Sequence, residues 1–243
     1  MAEGKVAVCT GSGRPGGLGE AILSRLGREG YRLVVTDVDG LGSSHLAKPD
    51  EMEAVAESLS SQGAEVFSHA CDVRSPESVE QLFDVVMERY GRVDVLINNA
   101  GIGFVMKDTR KVSPDEWNLV IDVTLSGVFH CTQVAAAHME TAGRGGKIIN
   151  IASQAAKTGF PHMAPYCAAK HGVIGLTRTA AIDYGAAGIT VNAVCPGLIV
   201  HPRNGARFDK NAKLASATEA QYPVGRYGVP DDIGFAVRFL WYA

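Results

Sequence analysis

The stretch Val6-Ala-Val-Cys-Thr10-Gly11-Ser-Gly-Arg-Pro-Gly-Gly17-Leu-Gly19 decides how the rest of the chain is read. A β-branched run breaks into a glycine cluster, and a helical pattern follows at about residues 18–28. Glycines at such a turn let the backbone bend sharply and approach a pyrophosphate, which then rests on the N-terminus of the next helix. An acidic residue about twenty positions further on, Asp37, closes the next apolar run, Leu33-Val-Val-Thr-Asp37. A carboxylate at that place can accept hydrogen bonds from ribose hydroxyls and repels a 2′-phosphate. The pattern predicts a dinucleotide site that favours NAD(H) over NADP(H), with Arg14 the residue that could compensate a phosphate.

Working outward, short strands alternate with helices along the chain. Strands are expected at 6–10, 33–36, 66–70, 93–97, 147–152 and 189–194. Helices are expected at 18–28, 50–61, from Pro76 to Tyr90, from Ser113 to about Met139, at 164–184 and at 230–241. Ser75-Pro-Glu supplies an N-cap with proline at the first helical position, and Ser113-Pro-Asp-Glu116 reads as a capping box. This alternation predicts an α/β, Rossmann-type, doubly wound parallel sheet in a single domain spanning residues 1–243. The excursion at about 198–222 is the expected substrate loop.

The second informative run is Tyr166-Cys-Ala-Ala-Lys170, which puts a phenol and an ammonium on one helix face. Proximity of the two lowers the tyrosine's pKa from its usual value of about 10. Such a tyrosine can exchange a proton with a carbonyl or alcohol oxygen. Ser153, ending the run Lys147-Ile-Ile-Asn-Ile-Ala-Ser153, can offer that oxygen a second hydrogen bond. Together they suit interconversion of a ketone and a secondary alcohol beside a hydride carrier.

Composition narrows the classes. The chain has 243 residues, 46% hydrophobic and 20% charged, with a formal net charge of −3. Nothing in that balance points to nucleic acid or an anionic membrane surface. Five cysteines without C-x-x-C spacing predict neither disulfides nor a zinc site, and the histidines show no metal-ligand spacing. No apolar signal core stands near Met1, and no apolar run reads as a bilayer span. A cytoplasmic protein is the expectation.

The glycine turn, Asp72-Val73, Asn98-Asn-Ala-Gly101, Ser153, Tyr166-x-x-x-Lys170 and Pro196-Gly197 together resemble the short-chain dehydrogenase/reductase family over essentially the whole chain. The resemblance implies NAD contacts at Gly11, Arg14, Gly17, Leu18 and Gly19, at Asp37, and at Asp72 and Val73 against adenine. It also implies contacts at Asn99, Ala100 and Gly101, at Tyr166 and Lys170, and at Pro196, Gly197 and Ile199. Tyr166 would be the acid/base, Ser153 the carbonyl partner, and Lys170 the ribose ligand that tunes the tyrosine. Gln154, His162 and Leu198 would border the substrate, a small-molecule alcohol or ketone. A homotetramer or homodimer is implied.

Four departures qualify it. Five residues, rather than three, separate Thr10-Gly11 from Gly17-Leu-Gly19. Thr124 stands where an asparagine normally holds a proton-relay water, which predicts a weakened relay. His201 replaces a threonine expected to bond the carboxamide. The sequence ends within the last helix, so the last edge strand is expected to be missing. Two alternatives stay open: a 3-oxoacyl-thioester reductase, with Arg203 and Arg207 as candidate carrier contacts, and a non-catalytic dinucleotide-sensing or scaffold protein.

Overall fold

The six strands read from the sequence pair in parallel. In this computed structural model, which describes residues 4–38, 49–103, 105–202, 205, 219–220 and 222–242, they are β1 (Val6–Thr10), β2 (Arg32–Asp37), β3 (Val66–Ala70), β4 (Val95–Asn98), β5 (Gly146–Ile151) and β6 (Ile189–Val194). Their order is β3-β2-β1-β4-β5-β6. The order reverses between β1 and β4, so the chain leaves these two strands in opposite directions and a crevice opens at their carboxyl ends. Among the described residues β3 and β6 are the edges of the sheet.

Side-chain alternation explains the layers. On β1, Val6 and Val8 face a core with Leu82, Phe83, Cys131 and Ala135, while Ala7 and Cys9 face Ile22, Leu23, Leu26 and Trp241. Both faces are therefore apolar, as helices on each side of a parallel sheet require. α1 (Leu18–Arg28), α2 (Pro49–Ser61) and α7 (Pro230–Tyr242) cover one face; α3 (Pro76–Tyr90), α5 (Gly127–Ala142) and α6 (Ala164–Gly185) cover the other. Ser75 caps α3 by accepting the Ser78 N–H at 3.1 Å. Ser113 and Glu116 exchange backbone bonds at 3.2 and 3.0 Å, the expected capping box at the start of α4 (Pro114–Ile121).

The long helix expected from Ser113 to about Met139 is interrupted. Between α4 and α5 the backbone widens into a π-turn, Asp122–Ser126, centred on the fully buried Thr124. A one-residue insertion of this kind re-aims the side chains it carries, and here the Thr124 hydroxyl accepts the Ile102 N–H at 3.2 Å. Residues Pro114–Ala142 as a whole are long and apolar enough to match a bilayer by length and composition, contrary to the sequence reading. Here that helix is a core element: Val120, Val128, Cys131, Ala136 and Met139 are buried.

The last helix packs into the same core. Ile233, Val237 and Trp241 of α7 are buried, and Trp241 meets Tyr31 edge-on with ring centroids 4.3 Å apart. Trp241→Ala is expected to cost about 3–5 kcal/mol, read as a lowered urea midpoint; an unchanged midpoint would show α7 to be outside the core.

Candidate active site

The carboxyl ends of the strands enclose a cleft of about 580 Å³, running from Asp37, Asp72 and Arg74 at one end to Ser153, Tyr166 and Lys170 at the other. Its floor is the β1–α1 turn. The Thr10 hydroxyl accepts the N–H groups of Asn99 and Ala100, each at 3.1 Å. The Asn99 amide donates to the carbonyls of Thr10 (2.9 Å) and Gly11 (2.8 Å).

The glycines divide their work. Gly11 has φ +63°, and a Cβ there would lie 2.7 Å from the Ala100 Cα. Gly17 is the N-cap of α1 and gives it no side-chain cap, so the first amides of that helix have no side-chain partner from their own cap. Gly19 lies outside the cleft lining; it lets α1 press on the turn, since a Cβ would approach Ser12 to 2.6 Å. The two extra residues of the loop bring in Gly13 and Gly16, which the sequence did not single out. The Gly13 N–H donates to Asp37 Oδ2 at 3.1 Å, and the Gly16 N–H donates to Glu20 at 2.6 Å.

Asp37 is buried at the end of β2, where Oδ1 also accepts the Val38 N–H at 2.9 Å. Arg14, Leu18, Val73, Gly101, Pro196, Gly197, Leu198 and Ile199 line the cleft with it. Asp72 lines it too, but its carboxylate is already paired with Arg74, which holds it below the usual carboxylate range. Arg74 was not legible as a site residue, because nothing in its sequence context marks it.

At the far end, Tyr166 and Lys170 rise from the first turns of α6, and Ser153 sits at the exit of β5. The sequence reading of their electrostatics needs correction. Burial pushes the Tyr166 phenol above its ordinary value, opposed by a hydrogen bond with Ser153. Lys170 does not offset this: its Nζ lies 5.7 Å from the ring centroid and donates instead to the Ile151 carbonyl at 2.6 Å. Burial lowers the Lys170 ammonium to about 8. Ser153 Oγ also accepts the Ala155 N–H at 3.1 Å, capping the turn after β5.

Three expected residues do not line the cleft directly. Thr124 stands behind the wall, where its methyl group and hydroxyl would both meet a Cβ on Gly101. Gln154 is exposed and outside the cleft lining, though its N–H donates to the Pro196 carbonyl at 2.8 Å. His162 is exposed, with φ +66°, and its carbonyl accepts the Lys107 N–H at 2.9 Å. His201 does line the cleft. Gly103 escaped sequence reasoning, and Tyr222 was marked only as the end of the expected substrate loop. A Cβ on Gly103 would come within 3.2 Å of the Tyr166 ring, and the Tyr222 hydroxyl accepts the Leu198 N–H at 2.9 Å. Most of the loop before Tyr222, Arg203 and Arg207 included, lies outside the described residues.

The profile of the enoyl-(acyl carrier protein) reductase family matches residues 11–242. The chain belongs to the short-chain dehydrogenase/reductase family. It is 39% identical over 238 residues to the 3-oxoacyl-[acyl-carrier-protein] reductase FabG of Staphylococcus epidermidis, covering 97% of this chain and 91% of that one. Among solved structures, an actinorhodin polyketide ketoreductase with NADPH superposes with a TM-score of 0.87 at 35% identity, covering 99% of this chain and 92% of that one. An NAD⁺-bound xylitol dehydrogenase gives 0.88 at 30% identity, covering 98% and 92%.

The glycine geometry yields a stability test. Gly11→Ala combines a left-handed φ with a backbone clash and is expected to cost about 2–4 kcal/mol. Gly63→Ala, with φ +90° in open space, carries only the φ cost of about 1 kcal/mol. Equal losses in denaturant unfolding would remove the Ala100 contact from the account.

Proposed function

We propose that this protein interconverts a secondary alcohol and a ketone using NAD(H). The observation that carries the reading is the convergence of Ser153, Tyr166 and Lys170 on one end of a cleft whose other end holds Asp37. The residues fit a dinucleotide. The close approach at Gly11, the N-terminus of α1 left uncapped by Gly17, and the carboxylate at the end of β2 are the features that a pyrophosphate and a ribose require. Arg14, Leu18, Val73, Asn99, Ala100, Gly101, Pro196, Gly197 and Ile199 would complete its walls. When bound, the nicotinamide supplies or accepts the hydride.

The chain's own groups handle the proton. In reduction Tyr166 donates its proton to the carbonyl oxygen as negative charge develops there, and Ser153 donates a hydrogen bond to the same atom. In oxidation the phenolate takes the hydroxyl proton. Lys170, anchored on the Ile151 carbonyl with its Nζ 5.7 Å from the phenol ring centroid, would hold the nicotinamide ribose beside Tyr166. Thr124 already accepts the Ile102 N–H, so its hydroxyl has one fewer site for a relay water. Proton resupply is thereby weakened.

Asp37 supports NAD(H) over NADP(H), since a 2′-phosphate beside a buried carboxylate is repelled. The similarity to FabG favours a second reading, reduction of a 3-oxoacyl thioester. An assembled Ser/Tyr/Lys set counts against a purely sensing or scaffold role. We take the protein as one domain, with its substrate loop at about 198–222, acting in the cytoplasm as a homotetramer or homodimer. Exposed Phe129 and Ile182 (46% and 81%) on the two long helices support self-association.

Tyr166→Phe is expected to lower kcat by at least about 100-fold while NADH still binds; undiminished turnover would reject the acid/base role. Asp37→Ala should raise the ratio of kcat/KM for NADPH over NADH by about tenfold or more, and a constant ratio would dismiss the proposed ribose contact. A raised phenol pKa has a signed consequence. Oxidation needs the deprotonated form, so its kcat/KM should climb with pH into the alkaline range. Reduction should hold at neutral pH and fall once Tyr166 loses its proton. Parallel profiles in the two directions would contradict this.

A further inference from the structure

The segment that follows β6 is held from outside the cleft, and one side chain does much of the holding. Leu198 lines the cleft, yet both of its backbone groups are used on the far side. Its N–H donates to the Tyr222 hydroxyl at 2.9 Å, and its carbonyl accepts the Gly228 N–H at 3.1 Å. Val200 adds a bond from its N–H to the Gly228 carbonyl at 2.9 Å, so residues 198–200 and 228 form a short parallel pairing. Tyr222 extends this pairing with a side-chain acceptor. Its ring lies against Gly197, where a Cβ would come within 3.1 Å, and meets Tyr227 at 6.2 Å between centroids.

The clamp continues toward the reacting groups. Pro196, two residues before Leu198, accepts the Gln154 N–H at 2.8 Å, and Gln154 follows Ser153 directly. The Tyr222 hydroxyl therefore reaches Ser153 through Leu198, Gly197, Pro196 and Gln154. Because the sheet order reverses between β1 and β4, groups after β5 and β6 and the group after β2 stand on opposite flanks of the cleft. Asp37 serves one flank; the clamp serves only the other.

We infer that Tyr222 is a positioning residue for the nicotinamide half of the cofactor, fixing the Pro196–Leu198 wall without touching the adenosine half. This rests on the dinucleotide reading above. Tyr222 replaces a backbone acceptor for Leu198 with a side-chain hydroxyl that joins the two ends of the loop between them. A hydroxyl on a ring can be removed with little change in shape. Tyr222→Phe keeps the packing against Gly197 and Tyr227 and takes away only the acceptor for the Leu198 N–H.

The test compares two ligands on the intact chain by titration calorimetry: NADH, which spans the cleft, and ADP-ribose, which lacks the nicotinamide. For Tyr222→Phe, the NADH Kd should rise about two- to tenfold, the effect of one lost hydrogen bond. The ADP-ribose Kd should stay unchanged. Equal weakening of both ligands would mean that Tyr222 supports the fold as a whole, and no change in either would mean that the clamp does not bear on the cofactor; both results overturn the inference. If the unmodified protein binds neither ligand, the dinucleotide reading itself fails, and the inference falls with it. Binding of both by the unmodified protein, with no differential loss in the variant, defeats the inference alone.

Discussion

The reciprocal bonding of Thr10 and Asn99 is the constraint on which the site depends. A parallel sheet that reverses its winding leaves β1 and β4 adjacent, with their continuing chains diverging. The divergence would expose the terminal amides and carbonyls of both strands at the bottom of the crevice. One threonine hydroxyl receives two N–H groups from the β4 exit, and one asparagine amide returns two bonds to the β1 exit. Four polar groups are satisfied across a single seam, and the seam is the cleft floor. Gly11 belongs to the same arrangement, because the approach that these bonds enforce leaves no room for a Cβ over Ala100.

A second polar chain carries that rigidity to the helices. The Asn98 amide donates to Thr132 of α5 and to Asn150 of β5, at 3.0 and 2.8 Å. Asn150 in turn donates to Thr177 of α6 at 2.9 Å. These residues are buried, so each bond spares its donor and acceptor the cost of desolvation without a partner, while the Asn98 Oδ1 is left unbonded among the described residues. The helix holding the π-turn and the helix holding Tyr166 and Lys170 are thereby registered against the same strands. Lys170 adds its own bond to Ile151 at the end of β5. The convergence of groups from β5, α6 and the post-β6 segment is thus a property of the sheet's carboxyl edge.

Much of this was legible in the chain. Periodicity and glycine placement gave the strands, their parallel pairing and the position of the crevice. The capping residues Ser75 and Ser113 marked their helices correctly. What was not legible depends on long-range geometry. The π-turn at Thr124 goes with a bond from the Ile102 N–H, 22 residues away, which no local pattern announces. The electrostatics of Tyr166 and Lys170 were misjudged for a related reason: helical spacing sets proximity, whereas burial and the Ile151 carbonyl decide where the ammonium points. Gln154 and His162, which the resemblance set beside the substrate, are both exposed, and the Gln154 Oε1 would lie 3.6 Å from a Cβ on Gly197. Tyr222 was legible only as the end of the expected substrate loop; its bond to Leu198, 24 residues earlier, was not.

In the proposed reaction, hydride passes to a carbonyl carbon at the end of the cleft where Tyr166 and Ser153 stand. Deuterium transfer measures it most directly. Reduction of a ketone panel with NADH carrying deuterium at nicotinamide C4 should place the label on the carbinol carbon of one product, detectable by NMR, with a single face of the nicotinamide donating. If NADH binds but neither labelled face delivers deuterium to any ketone or 3-oxoacyl thioester, the account is contradicted.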